Sequence, residues 1–485
     1  MKSIFCFLFF TISCFVEAQP PSKFYTRIGG NGYDVGYDVK QTLDNGYIIT
    51  GSTSSMGVGN TDMYLLKLDS MGQIKFQTTF GNANNDIGKS VIQLIDSSYI
   101  MVGYTNSIGF GGYDIFLVKA DKYGALVWQK TIGGTDWDFA NSLQQTSDGG
   151  FIIAGSTYSY GYGNEDGYVV KTDANGNITW SKTFGGANDD EFKSVIQTMD
   201  GGYALCGSTK SYGDINGDAW VFKLLANGDS AYSYKYNFGL YDTYNDIKEI
   251  VTGEFILGGA RTYTNTQQRE SIFVRINTSG QILTQFEDGQ IGSNEEYFKV
   301  DVSNSSFGAY TALGNSHENG PAFKEQVKMI LFNNGGYVNG GALGGNEDDE
   351  CTSFSLVKKE SSKGYIAVGF TYSYNSILSD VLVFKYDSLL SYGTNITGLA
   401  NESDLLKINR FYPSPFQTIV NLDIDNKSII KIEVFSIDGN IVYEQESKLQ
   451  KNKLDLSFLN DGIYILSITD KKGYKVSQKI IKNSF

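Results

Sequence analysis

The 485-residue chain carries 56 glycines, 33 tyrosines, 31 phenylalanines and 4 tryptophans, against 5 prolines and a single histidine, His317. Asp and Glu outnumber Lys and Arg by 53 to 39, a net charge of −14, which argues against a nucleic-acid partner because phosphate binding relies on clustered cations. One histidine excludes His-rich metal sites and leaves little room for a Ser/His/Asp triad, while glycine and aromatics favour turns and strands over long helices.

Residues 1–18 hold one lysine, an apolar run and a small-residue exit at Val16-Glu17-Ala18. This is the layout of a secretory signal peptide with cleavage before Gln19; a weaker alternative makes Cys14 a lipidated cysteine. The run is too short to span a membrane and no second one follows, so no transmembrane segment is expected. Cleavage removes Cys6 and Cys14 and leaves Cys206 and Cys351, too few for a disulfide framework.

An internal repeat governs residues 19–388. Gly29, Gly81, Gly133 and Gly185 are 52 residues apart, as are Gln41, Gln93, Gln145 and Gln197, and Asp62, Asp114, Asp166 and Asp218. A fifth copy runs from Phe238-Gly239 to Arg275, a blurred sixth from about Gly289 to Phe332, and a clear seventh from Gly344 to Lys385. Each copy reads as four short strands bounded by Gly, Asp and Asn, in the fourth copy Lys193–Thr198, Tyr203–Ser208, Ala219–Leu225 and Ile178–Phe184. Seven such units are the sequence form of a seven-bladed β-propeller. Phe24–Ile28 matches the last strand of a unit, and the seventh copy stops after its third strand. The N-terminus is therefore expected to complete the last blade and close the ring.

Residues 389–410 read as a polar linker. Only 3 of the 56 glycines, Gly439, Gly462 and Gly473, lie beyond it, and residues 411–485 hold ten lysines against nine acids, so the negative charge belongs to the propeller. Alternating segments from Ile419 to Ile481 predict six or seven strands in a small Ig-like antiparallel β-sandwich.

Two resemblances add to this reading. Trp128–Gly134, Asp148–Gly155 and Trp180–Gly186 resemble the repeat of a family of secreted bacterial propellers, which implies a fold and an extracellular setting but no activity. Residues 411–485 resemble the type A C-terminal sorting domain of type IX (Por) secretion. The matching blocks contain Tyr412, Pro413 and Pro415, then Asp438 and Gly439, then Gly462 and Tyr464, and last Lys479 and Lys482. Ser414 departs from the usual asparagine. The resemblance implies that the type IX machinery engages residues 411–485 and delivers the chain, through the periplasm, to the cell surface or the medium.

Function is sought on the face carrying the long loops, where repeat proteins usually bind. Phe110, Tyr158, Tyr160, Tyr162, Tyr212, Tyr372 and Tyr374 occupy the loops between second and third strands there, able to stack on sugars or anchor a protein; packing between blades is the competing role. Asp34, Asp86, Asp138, Asp190 and Asp349 could form a carboxylate collar at the channel mouth, but repetition in nearly every blade favours a role in bracing their own loops, as for Asp62 and its repeats. Asp214–Asp218 lacks the ligand set of a calcium loop and reads as a turn. No metal site, phosphate loop or nucleophile elbow is present. The expectation is a non-enzymatic, cofactor-free binding module for an extracellular protein or glycan. The alternative is an enzyme on extracellular polysaccharide using the irregular acids Glu295, Glu296, Glu347 and Glu350 of blades six and seven, with His317 expected in the long loop Gly314–Lys324 of blade six.

Overall fold

The computed structural model describes residues 24–483 except 264–267, 289–293, 303–309, 318–324, 334–335, 344–347, 359–363, 373–377, 388–407, 413–416, 425–428, 437–440, 447–452 and 471–474. The signal segment 1–18 lies outside them. All regular elements among the described residues are strands. The chain divides into two compact units, Met1–Thr394 and Asn395–Phe485.

The first unit contains seven four-stranded antiparallel sheets, the blades of a propeller. In blade 3, Asp138–Gln145, Phe151–Thr157, Asp166–Thr172 and Ile178–Phe184 pair in that order from the axis outward. The sequence register groups Ile178–Phe184 with the fourth copy, but it pairs with Asp166–Thr172 and so forms the outer edge of blade 3. Second and third strands such as Tyr47–Thr53 and Asp62–Leu68 are buried along their whole length. They lie between neighbouring blades, so both faces are covered and the strands read as near-continuous apolar runs. The outer strand is more open: Ile74 and Lys75 are exposed while Phe80 is buried.

The ring closes through the N-terminus. Phe24–Ile28 completes blade 7 by pairing with Asp380–Asp387, Phe24 opposite Lys385 and Ile28 opposite Val381, and Arg27 Nε lies 3.2 Å from Asp380. Phe24 also fixes the next blade boundary. Gly72, at φ +81°, turns so close to its ring that a Cβ would come within 2.9 Å. Gly176, at φ +74°, meets Trp128 of the preceding blade in the same way. Only glycine supplies both the left-handed turn and the close approach.

The C-terminal unit has two sheets. Ile408–Tyr412, Ile419–Ile424 and Lys453–Asp455 form one; Ile441–Glu446, Ile429–Ser436, Gly462–Asp470 and Lys475–Lys482 form the other. Val420, Ile432, Val434, Leu454, Leu456 and Leu466 are buried. Seven strands match the expected number; these pairings do not by themselves establish the Ig-like arrangement.

Candidate functional site

The innermost strands, each opening a blade, contact their neighbours around the ring and wall the central channel. Each carries a β-bulge, between Gly36/Asp38, Gly88/Ser90, Ala140/Ser142, Phe192/Ser194, Tyr244/Asp246, Tyr297/Lys299 and Cys351/Ser353. A bulge re-aims the extra residue, and the residues at this position are Tyr37, Lys89, Asn141, Lys193, Asn245, Phe298 and Thr352. In blades 3, 5 and 7 that residue caps the neighbouring blade. Asn141 Nδ2 donates to the Phe192 carbonyl at 2.9 Å, Asn245 Nδ2 to the Tyr297 carbonyl at 2.8 Å, and Thr352 Oγ1 to the Gly36 carbonyl at 2.6 Å.

One residue further along, two buried carboxylates bridge blades. Asp38 accepts from Ser353 Oγ at 2.7 Å, Ser90 Oγ at 3.2 Å and the Val91 N–H at 3.0 Å. Asp246 accepts from Ser194 Oγ at 2.8 Å and the Val300 N–H at 3.2 Å. Burial works against the charge of Asp38, yet Lys40 and Lys299 hold its carboxyl below the ordinary aspartate range. Lys299 and Lys248 do the same for Asp246. These groups break the seven-fold pattern and converge on the channel.

At the channel mouth, five rings from blades 2 and 3 pack together. Tyr104 meets Tyr113 at 5.3 Å and Phe139 at 5.0 Å, both edge-to-face. Trp137 meets Tyr113, Phe139 and Tyr158 at 6.3, 6.2 and 5.9 Å. Trp137 is 49% exposed, so one edge of the cluster is held while another is open to solvent. Beside it Tyr158 donates its hydroxyl to Glu165 Oε2 at 3.0 Å. Burial, and then the Glu191 charge, push the Glu165 carboxyl above the ordinary glutamate range, while Lys193 pairs with Glu191 at 2.7 Å.

Of the aromatics expected from sequence, only Tyr158 joins this cluster. Tyr162 and Tyr212 come together elsewhere, lining a cavity of about 310 Å³ with Trp220, Phe222 and Lys235 between blades 3 and 4. The Tyr160 hydroxyl donates to the Gly133 carbonyl at 2.8 Å and that of Tyr212 to the Gly185 carbonyl at 2.5 Å, so both also brace loops. Phe110 is exposed, and Tyr372 packs edge-on against Phe370. Tyr374 lies outside the described residues.

The repeated aspartates are loop braces. Asp34 accepts the Gly30 N–H at 2.9 Å and Ser55 Oγ at 2.6 Å; Asp138 accepts the Gly134 N–H at 2.8 Å and Ser159 Oγ at 2.7 Å. Asp166 takes two N–H groups, from Tyr162 and Gly163. Being buried, they form no collar. Among the irregular acids, Glu296 is clamped by Arg269 through Nε and Nη2 at 2.8 and 3.0 Å, and Glu295 is buried. Glu350 follows Asp349 on the innermost strand of blade 7. Glu347 and the side chain of His317 lie outside the described residues. Trp137, Tyr104, Tyr113 and Phe139 escaped the sequence reading. Their signal was present: Trp137 stands where the other clear copies have Tyr33, Asn85 and Asp189.

The C-terminal unit carries a family signature. Residues 410–483 match the secretion system C-terminal sorting domain. In the sorting domain, Gly462 opens a strand and pairs with Lys482, while Tyr464 is buried and donates to the Asn460 carbonyl at 2.9 Å. Lys479 pairs with Ile465, and Tyr412 ends the strand Ile408–Tyr412; Pro413, Pro415, Asp438 and Gly439 lie outside the described residues. The sorting domain implies engagement with the type IX machinery and export to the cell surface or extracellular space. No helix among the described residues is long and apolar enough to cross a membrane.

A 202-residue stretch is 26% identical to the regulatory protein FlaEY of Caulobacter vibrioides, covering 36% of this chain and 21% of that protein. The chain thus accounts for only 21% of that relative's length. Similar solved structures include the Pan2 WD40 domain of Neurospora crassa, at 9% identity and TM-score 0.44 over 74% of this chain and 95% of that one. Sqt1 of Chaetomium thermophilum is another, at 12% identity and TM-score 0.43 over 82% and 97%.

Proposed function

We propose that this exported propeller is a non-enzymatic binding module for an extracellular glycan, with the ring cluster at the mouth of blades 2 and 3 as its platform. The observation that carries this is the half-exposed Trp137, braced by Tyr113, Phe139 and Tyr158 where the repeat is broken. A rigid ring face stacks on the apolar face of a pyranose, and its loss of conformational freedom is already met by packing. Glycan-array binding followed by tryptophan-fluorescence titration tests it. Trp137→Ala should weaken binding about tenfold or more, the size of one lost aromatic contact. Unchanged binding by that variant would remove the platform.

One observation favours a second reading, a polysaccharide-cleaving enzyme. Glu165, pushed toward its protonated form by burial and the Glu191 charge, stands near that second carboxylate, which pairs with Lys193, and an acid beside a carboxylate partner is what glycoside cleavage needs. Glu165→Gln separates the readings: a catalyst loses turnover and keeps binding, whereas a binding module shows no turnover to lose.

A further inference from the structure

Most cations of the channel wall have a carboxylate. Lys40 lies 2.6 Å from Asp38, Lys193 2.7 Å from Glu191 and Lys299 3.4 Å from Asp246, and Lys248 feels the charges of Asp246 and Asp301. Lys89 differs. Its ammonium stands 3.8 Å from the centroid of the Tyr37 ring, and among the described residues no carboxylate comes within ion-pair distance. It occupies the bulge position at which Asn141, Asn245 and Thr352 cap a neighbouring carbonyl, and there it presents a charge instead.

That placement is costly in the free protein. A part-buried ammonium that has only a ring face beside it loses hydration without gaining a full counter-charge. Burial, with the charges of Lys193 and Lys299, brings the Lys89 pKa down to about 8. The missing partner is a negative charge arriving from outside. The ring cluster approaches Lys89 through Tyr37: Tyr104, which feels the Tyr37 group beneath that ammonium, packs on Phe139 and Tyr113, and these pack on Trp137.

We infer that Lys89 receives the carboxylate of an acidic sugar, so that the ligand of this propeller is a uronic-acid glycan whose end enters the channel past the aromatic platform. This rests on the platform reading above and narrows it to one chemical class. The carboxylate would take the place of the absent counter-ion, gaining a charge-assisted contact in a low-dielectric site.

Calorimetric titration of the full-length chain tests it with galacturonate, mannuronate and glucuronate tetramers, their methyl esters, neutral tetrasaccharides and inorganic phosphate. At least one acid should bind tenfold or more tighter than its ester, with phosphate far weaker than that acid. Lys89→Gln should bring acid and ester to equal affinity, and Lys89→Arg should keep the preference, which shows that the site still folds. Acid and ester bound equally by the wild type, a preference surviving in Lys89→Gln, or phosphate bound as tightly as the acid would overturn the inference and leave the platform standing. Failure of every saccharide to bind would overturn both.

Discussion

Gln93 Oε1 accepts the backbone N–H of Leu43 at 2.7 Å, tying the inner strand of blade 2 to the hairpin turn of blade 1. Gln197 holds the Ser147 N–H at 2.8 Å, and Gln41 holds that of Lys358 at 2.8 Å across the closure. The repeated glutamine is thus a blade-to-blade latch. Gln93→Leu should cost about 1 kcal/mol, a typical net hydrogen bond, and Gln197→Leu a similar amount. The two lie at different boundaries, so a double variant measured by chemical denaturation should show near-additive losses.

Removing residues 24–28 should do more. It strips the five-residue pairing with Val381–Lys385 and uncovers an apolar edge strand. The expected result is a loss of several kcal/mol and concentration-dependent association, since an unpaired edge templates another chain. Denaturation and light scattering check it; a monomer of unchanged midpoint would contradict the closure.

The hairpin turns predict an acid response. Asp148 accepts from Thr146 Oγ1 at 2.5 Å and pairs with Lys171 at 2.9 Å. The Thr146 hydroxyl first, then Lys171 and the Gly150 N–H, bring its pKa to about 2. A carboxyl with a depressed folded pKa binds fewer protons than in the unfolded chain, so its contribution is present above its unfolded pKa of about 3.9 and lost as pH falls toward 2. Between pH 4 and 2 the wild type should lose stability faster than Asp148→Asn. Parallel stability curves would rule this out.

Lys89 predicts a rise of stability with pH at the alkaline end. Its folded pKa of about 8 lies below the unfolded value, so the unfolded chain holds more protons in between. Stability should rise with pH from about 8 to 10.4. At pH 7 Lys89→Met should stabilise the ligand-free chain by about 1–3 kcal/mol while weakening acidic-glycan binding. Thermal melts of both proteins across this range check it; a destabilised Lys89→Met at neutral pH would contradict an uncompensated charge.

Deleting residues 411–485 should leave the propeller folded but trapped in the periplasm of a type IX-secreting host. Cell fractionation checks this, and surface delivery of the truncated chain would contradict the sorting role.

The repeat at 52 residues, the strand boundaries, the seven blades and the closing strand Phe24–Ile28 were legible in the sequence. So was the sorting domain, because its blocks are contiguous and ordered. Such features follow from local rules: glycine and asparagine mark turns, and β-branched and aromatic runs mark strands. The repeated aspartates were also legible as loop braces, since a group present in nearly every blade serves the blade. Tertiary structure decided the rest. Tyr104, Tyr113, Trp137 and Tyr158 become one platform only when blade 3 docks on blade 2, and Lys89 reaches the channel through a bulge that shifts register against its partner strand. Pairing register and blade contact join residues far apart in the chain, and alternation along a single strand does not encode which neighbour will stand opposite.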